Sequence, residues 1–591
     1  MVWEPRSWNV TYSDRPVMRR FFLLVLVLLI NLIYYENQKY ILLPCCFQQC
    51  WVRAAVPFLD EKPLDFMSAT NSFLTQEDID CSVNNLYYLV RREFYSRDEN
   101  RPMDYLYGTD IVYDGEPNGT ERHSNMISAY HSTGNIASVH WSLLYHTIST
   151  ANTIIDRLPV SEVSEEQKVI AEAKARFFRG FAYRTLAYLY GGVPLLLTEV
   201  VGPKFDYVRA SKEEVLEQAI SDVEFAATYL PSLSSVQDGE VSNTAAYHLL
   251  SELYLATAQY QKAVDAATTV IDDPATGLMY NRFGSRANEV PGDVYWDLFR
   301  KNNQNRGSGN TEGIWVIQIE TDTPGGSGSL TAKDQTYTLE RHHAPMVRDV
   351  KAHGMNPFSW PIGDYTGGRG IGWAISTRYF SDEIWKDDFY GDMRNANHNF
   401  VRKFAVHNKE YAKLYGDTID AQNPPVGVTV PSRSLYAYQS KCTTPYNHPE
   451  GLYSNSKTFA LNSGAGATYT DQYMFRLAET YLLRAEAYLA LNDKDKAAAD
   501  INVIRNRAHA KPVLTSQVTL DYILDERMRE LGVEERRRIT LMRMGKLYDR
   551  VMKCNPYYAK EMKKHYELWP IPYKEIEANR GAVLEQNPGY E

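Results

Sequence analysis

Twice in this chain, small and aromatic residues recur at a spacing that a pair of packed helices satisfies. In the first stretch, Ser242 to Asp273, the residues Leu250, Ser251, Tyr254, Ala258, Tyr260, Ala263 and Ala267 fall mostly three and four positions apart. In the second, Met474, Leu477, Ala478, Tyr481, Ala485 and Tyr488 make one apolar stripe, and after an Asn492-Asp493 turn Ala497, Ile501, Ile504 and Ala508 make its partner. Residues at these intervals share a helix face, and the small ones let two backbones approach closely. The pattern is a packing signal without chemistry of its own, and it commits the chain to a mostly helical fold built from antiparallel hairpins.

The order of residues in the first hairpin follows tetratricopeptide spacing. Further helices surround the two hairpins. Ser164 with Gln167 has the spacing of a capping box; the run Ala171 to Tyr190 follows, until Gly191-Gly192-Val193-Pro194 stops it. Ser82 to Leu158 reads as helix interrupted by a polar loop between Tyr107 and Asn135, in which Asn118-Gly119-Thr120 is expected to be a turn rather than a glycan acceptor. A third helical group spans Leu520 to Met552, followed by an extended C-terminus. Between Asn281 and Tyr469 the helical period fades into Gly, Pro, Ser, Asn and aromatic residues. That is too long for plain loop, so short strands and helices are expected there, together with function. The resulting organisation is a leader and anchor region over 1–55, a helical part over 56–280, an irregular insertion over 281–469 expected to bind ligand, and a second helical part over 470–591.

Composition narrows the function. With 63 basic and 73 acidic side chains the formal charge is −10 and there is no long basic run, so nucleic acid is not an expected partner. Hydrophobic residues at 44% and charged residues at 23% exclude both wholesale disorder and a multi-span membrane protein. Tyr is abundant, 43 against 21 Phe and 10 Trp. Its amphipathic ring suits sugars, whose C–H faces stack while their hydroxyls hydrogen-bond, although most such rings serve helix contacts.

Arg19 and Arg20 precede an apolar run from Phe21 to Tyr35, the order of a secretory signal and short of the ~20 residues a membrane span needs. Met18 stands directly before them, and translation is expected to start there, leaving Met1 to Val17 as an upstream extension. The six cysteines show neither a disulfide framework nor a zinc spacing. Three of them, Cys45, Cys46 and Cys50, are the candidates for lipid attachment after the leader.

Catalysis has little support in the residues. Glu526, Glu530, Glu534 and Glu535 lie close together, but among Arg527, Arg529, Arg536, Arg537 and Arg538, where ion pairs lower carboxyl pKa values rather than raise them as a general acid needs. Glu479 and Glu486 are expected to pair with Arg505 or Arg507 of the next helix. The histidines, His342-His343 included, form no spaced metal set, and neither a phosphate loop nor G-x-S-x-G occurs, so neither metal nor cofactor is expected.

Several stretches, in order, resemble the SusD/RagB family of Bacteroidetes outer-membrane nutrient-binding lipoproteins: Phe58-Leu59-Asp60-Glu61-Lys62-Pro63, Trp141 to Leu158, Ala171 to Pro194 and Arg209 to Pro231. Others follow in the C-terminal half: Arg476 to Glu479 with Ala485 to Ala487, Ile501-Asn502 with Arg505 and Arg507, Glu526-Arg527 with Glu530-Leu531, Leu568 to Pro572, and Gln586 to Tyr590. The family's lipid-bearing Cys usually stands a few residues before the first motif, where this chain has Arg53-Ala54-Ala55. The resemblance implies a SusD-like α-α superhelix of tetratricopeptide-like hairpins carrying an irregular ligand-binding part. It also implies a non-catalytic, lipid-anchored protein on the outer face of the outer membrane, passing oligosaccharide to a SusC-like TonB-dependent transporter. A tetratricopeptide scaffold for peptide or protein partners is the alternative, and a secreted glycan hydrolase a distant third.

The binding residues are argued from residue type. Gly367 to Gly372 frames Arg369 and leads into Trp373, preceded by Phe358, Trp360 and Tyr365, and glycine lets backbone and ligand approach closely. Trp360, Tyr365, Arg369 and Trp373 are therefore the expected binding residues, the opposing view being that Trp373 plugs the helical body. Asp110, Tyr113, Tyr130, His131 and Asn135, in the loop after Tyr107, are expected to face them and supply hydrogen bonds.

Overall fold

Three of the first long helices open on reciprocal caps. Thr75 and Asp78 cap α1 (Gln76–Phe94), Ser164 and Gln167 cap α3 (Glu165–Tyr190), and Ser211 and Glu214 cap α4 (Lys212–Tyr229). α1 thus begins before Ser82, because Thr75 supplies the cap. Helix α2 (Asn135–Arg157) lies between α1 and α3. The computed structural model describes residues 73, 75–97, 101–116, 124–321, 323–358, 360, 362–409, 411 and 416–590. The leader, the three candidate anchor cysteines, the Phe58 motif and the Asn118 triplet lie outside them. Among the described residues no helix is long and apolar enough to cross a membrane.

From Phe177 to Tyr190 every residue of α3 is buried, which makes it the central post of the frame. Gly180 sets its distance from α4: a methyl group there would lie 2.7 Å from Val223 Cγ2 and 2.9 Å from the Ala219 carbonyl. The two hairpins are α5 (Asn243–Ala256) with α6 (Tyr260–Ile271), and α7 (Leu477–Ala490) with α8 (Lys494–Arg507). Their turns are alike, each crossing a left-handed residue, Ala258 at φ 57° and Asn492 at φ 62°. Each helix from α1 to α8 packs on the next, and α6 packs on α7 although some two hundred residues separate them in sequence. The third group is α9 (Leu520–Glu530), α10 (Arg537–Arg543) and α11 (Leu547–Cys554).

The chain between α6 and α7 leaves this frame and returns to it through one antiparallel pair, β2 (Gly313–Ile317) and β4 (Gln472–Arg476), with Trp315 opposite Phe475. Trp315 sits under the edges of Phe177, Phe178 and Phe181 at 5.4 to 5.9 Å, which locks the neck of the insertion to α3. Within the insertion no α-helix among the described residues exceeds the five residues of Leu339–His343. A second pair joins β1 (Val112–Asp114) to β3 (Ala374–Ser376), with Tyr113 opposite Ile375.

Buried charge joins insertion to frame. Glu530 of α9 accepts from Arg394 at 3.0 Å, from Arg476 at 2.8 Å and from Arg507, while Glu526 accepts from Arg394 at 2.9 Å and from Arg505 and Arg529 at 2.8 Å. Burial by itself would raise both carboxyls, but the arginines outweigh it and hold them well below the usual range. Two expected pairings differ. Glu479 pairs with Arg527 at 2.5 Å and Glu486 with Arg543 at 2.6 Å, because α9 and α10, rather than the end of α8, lie across the faces of α7 that carry them.

Candidate functional site

Trp360 is the exposed aromatic of the glycine-rich stretch, with 53% of its surface open. Arg348 and Arg369 hold their guanidinium carbons 5.5 Å from its ring centre. It borders an open depression of about 650 Å³, shared with Lys351, Met355, Asn356, Phe358 and Asn408. Asn408 donates to the Asn356 carbonyl at 2.8 Å, which ties the 405–409 segment to the Trp360 turn. Beside it, the Tyr365 ring stacks on the exposed His407 at 3.6 Å between centroids, and Tyr446 lies nearly parallel to it at 6.5 Å. Trp360 thus opens an aromatic face beside Arg348, Arg369 and Asn408, and the rings of Tyr365, His407 and Tyr446 form a stack joined to it through the His407-Asn408 segment, Tyr446 with 48% of its surface open.

A buried charge relay holds the loop that carries this face. Arg369 donates its backbone amide to Glu340 Oε1 at 3.0 Å. Glu340 Oε2 accepts from His448 Nε2 at 2.8 Å, and His448 Nδ1 meets Asp364 Oδ2 at 3.3 Å. Tyr453 donates its hydroxyl to the same Asp364 oxygen at 2.5 Å. Burial alone would lower the His448 pKa, but the Glu340 carboxylate and the hydrogen bonds to Asp364 and Glu340 hold the ring up at about 10. The imidazolium is therefore a fixed cation between two carboxylates. Gly368 packs on this relay at φ 71°, and a methyl group there would meet Glu340 Cδ at 2.2 Å, so glycine is required.

Of the residues expected to bind, Trp360 and Arg369 share this face, Tyr365 lies in the adjoining stack, and Trp373 is held elsewhere. Trp373 is half-buried, with Arg341 and Arg433 each 5.7 Å from its ring centre, and it donates Nε1 to Glu116 at 3.2 Å. It plugs a small arginine sandwich beside β1 rather than the helical body. The loop after Tyr107 does reach the glycine stretch, but at this Trp373 end: Gly115 donates its amide to the Trp373 carbonyl at 2.7 Å.

Two members of that loop point inward and are corrected. Asp110 is fully buried and accepts from Arg537 at 2.8 Å and from Arg550 at 2.9 Å, which hold its carboxyl well below the usual range although burial opposes them. Tyr130, 3% exposed, accepts from Arg538 and packs on Tyr566. Tyr113 stacks on Tyr557 at 4.8 Å, and His131 and Asn135 are exposed at the start of α2. The residues that sequence reasoning missed are Arg348, His407, Asn408 and Tyr446. No local pattern marks them, because the fold gathers them from separate turns.

Two family models cover most of the chain: the SusD family over residues 311–590, and a family described as starch-binding associating with outer membrane over residues 57–255. A SusD-like protein of Formosa agariphila is 23% identical over 555 residues, covering 88% of this chain and 93% of that protein. The starch-binding protein SusD of Bacteroides thetaiotaomicron is 38% identical over 132 residues, 21% of this chain and 23% of that protein. Among solved structures, a laminarin binding SusD-like protein superposes with a TM-score of 0.64 at 21% identity, covering 88% of this chain and all (100%) of that one. At these identities the structural likeness speaks for the fold, which is the expected mostly α SusD-like one.

Proposed function

We propose, from the premise that this chain belongs to the SusD family, that it is a non-catalytic glycan-binding lipoprotein of the outer membrane. On this reading it captures oligosaccharide on the outer face of the cell and passes it to a SusC-like TonB-dependent transporter. The observation that carries the reading is the open Trp360 ring over its depression, flanked by Arg348 and Arg369, with the Tyr365, His407 and Tyr446 stack joined to it through the His407-Asn408 segment. Open rings beside hydrogen-bonding groups match the amphipathic surface of a sugar. The names of relatives that bind starch and laminarin lend the ligand class support.

The binding role rather than hydrolysis is supported by the state of the acids. Glu526 and Glu530 are fully buried and kept ionised by arginines, the reverse of what a general acid needs. A protein partner is supported by an apolar stretch on the frame, where Val201 has 88%, Phe205 55% and Val208 67% of its surface open. Incubation of the purified protein with a polysaccharide panel that includes starch and laminarin tests the reading. Retention without new reducing ends is expected, whereas new reducing ends contradict it. Recovery of a transporter barrel with the protein from mild-detergent outer-membrane extracts tests delivery, and repeated recovery of the protein alone contradicts it.

A further inference from the structure

Arginines gather at the aromatic face without the carboxylates that accompany arginine elsewhere in the molecule. Besides Arg348 and Arg369 over Trp360, Arg97 lies beside Arg369: a methyl group on Gly466 would sit 3.7 Å from Arg97 Nη2 and 3.8 Å from the Arg369 carbonyl. The Arg369 guanidinium donates only to backbone, to the carbonyls of Ser463 and, at 3.1 Å, of Ala465. The carboxylate closest to its backbone, Glu340, is buried and neutralised by His448. Arg348 has one acidic neighbour, Asp349 at 3.7 Å, itself half-exposed. Arg97 makes no ion pair among the described residues. Burial, with repulsion from Arg348 and Arg97, lowers the Arg369 pKa, and no carboxylate offsets it. Elsewhere, by contrast, Arg394 of the insertion and Arg476 and Arg507 each meet two or more carboxylates. In a chain of net charge −10, this face is a local excess of positive charge.

We infer that the glycan taken at this face is anionic, carrying carboxylate or sulfate groups on its sugar rings. The inference rests on the glycan-binding reading of the same face and deepens it. A guanidinium fork matches the paired oxygens of a carboxylate or sulfate, and an anion there relieves the repulsion among the arginines while the sugar ring stacks on Trp360. A neutral glycan would take only the stacking and the hydrogen bonds.

Calorimetric titration of the full mature chain tests this with four probes: oligogalacturonate, the same oligosaccharide after carboxyl reduction to its neutral form, a sulfated galactan oligosaccharide, and laminarin. At least one anionic probe is expected to bind about tenfold or more tightly than the reduced one, and to weaken with added sodium chloride. The carboxylated and sulfated arms tell which anion is preferred. Arg348→Gln, whose side chain makes polar contacts only to Asp349 and the Met346 sulfur besides lying over the Trp360 ring, is expected to remove about tenfold of that affinity at an unchanged melting temperature. Binding of the neutral probes that is lost in Trp360→Ala but is insensitive to salt and to Arg348→Gln overturns the anionic inference and leaves glycan binding standing. Failure of every probe, together with failure of the polysaccharide panel, overturns the glycan reading itself and this inference with it.

Discussion

The helical frame and the insertion are stabilised by different means. In the second hairpin, Ala478, Leu482, Ala485, Ala497, Ile501 and Ile504 form a dry cluster whose members lie on two adjacent helices. In the insertion, order comes from buried polar groups that meet across long sequence separations, such as His448 between Glu340 and Asp364, or Arg394 reaching Glu526 and Glu530. Apolar packing of regular helices gives a rigid body but repetitive surfaces. Polar relays let an irregular backbone hold aromatic rings outward, at the cost of depending on every partner. On the proposed reading, the insertion captures ligand and the frame supplies rigidity.

The comparison breaks most visibly where the two regions share charge. Glu530→Ala leaves Arg394, Arg476 and Arg507 around an emptied centre, and about 3 to 5 kcal/mol of stability is expected to be lost by urea unfolding. A loss under about 1 kcal/mol would mean that the lattice does not couple frame to insertion.

An intermediate effect is expected from pH, and both regions contribute. His140 of the frame is held between Glu93 and Asp104; burial lowers its pKa, but the carboxylates outweigh this and raise it to about 9, as Glu340 and Asp364 raise His448 to about 10. Both folded values lie above the unfolded value of ~6.5. The folded state therefore binds more protons, so this stabilisation is complete below ~6.5 and is lost as pH rises through about 9 and about 10. His248 and His343 are buried with pKa values lowered to about 3 and about 4, so their share is lost in the opposite direction, as pH falls below ~6.5. Unfolding free energies measured across this range should decline on the alkaline side, and a flat alkaline limb contradicts both charged bridges.

A smaller change sharpens the likeness of the two hairpins. Ala258 holds a left-handed conformation that costs a side-chain-bearing residue roughly 1 to 2 kcal/mol. Ala258→Gly is expected to stabilise the frame by up to about 1 kcal/mol, since glycine's extra unfolded-state entropy offsets part of the relief. Destabilisation would show that the turn is not strained.

What was legible in the sequence follows the range of the forces involved. The Ser164–Gln167 cap and both hairpins were visible because their signals span a few residues at helical period. The partners of Glu479 and Glu486 were misplaced because period identifies a helix face without saying which helix crosses it. Asp110 and Tyr130 looked like loop polar groups. Their burial depends on Arg537, Arg550 and Arg538, more than 400 positions away, which no local pattern encodes. Trp360 is singled out by residue type and glycine context alone, whereas Arg348 becomes its neighbour, and His407 and Tyr446 become neighbours of Tyr365, only through the folded insertion.

The least effect on stability and the most direct test of function coincide at Trp360. Its ring is open and its main contacts are two arginines, so Trp360→Ala should leave the melting temperature unchanged. Calorimetric titration of this variant against the best ligand of the glycan panel is expected to show affinity lower by about 1 to 3 kcal/mol, by analogy with stacking of planar rings on aromatic side chains. Trp373→Ala, whose ring is already held between Arg341 and Arg433, should cost less affinity. Wild-type affinity in a folded Trp360→Ala protein would contradict the account and move ligand capture away from this face.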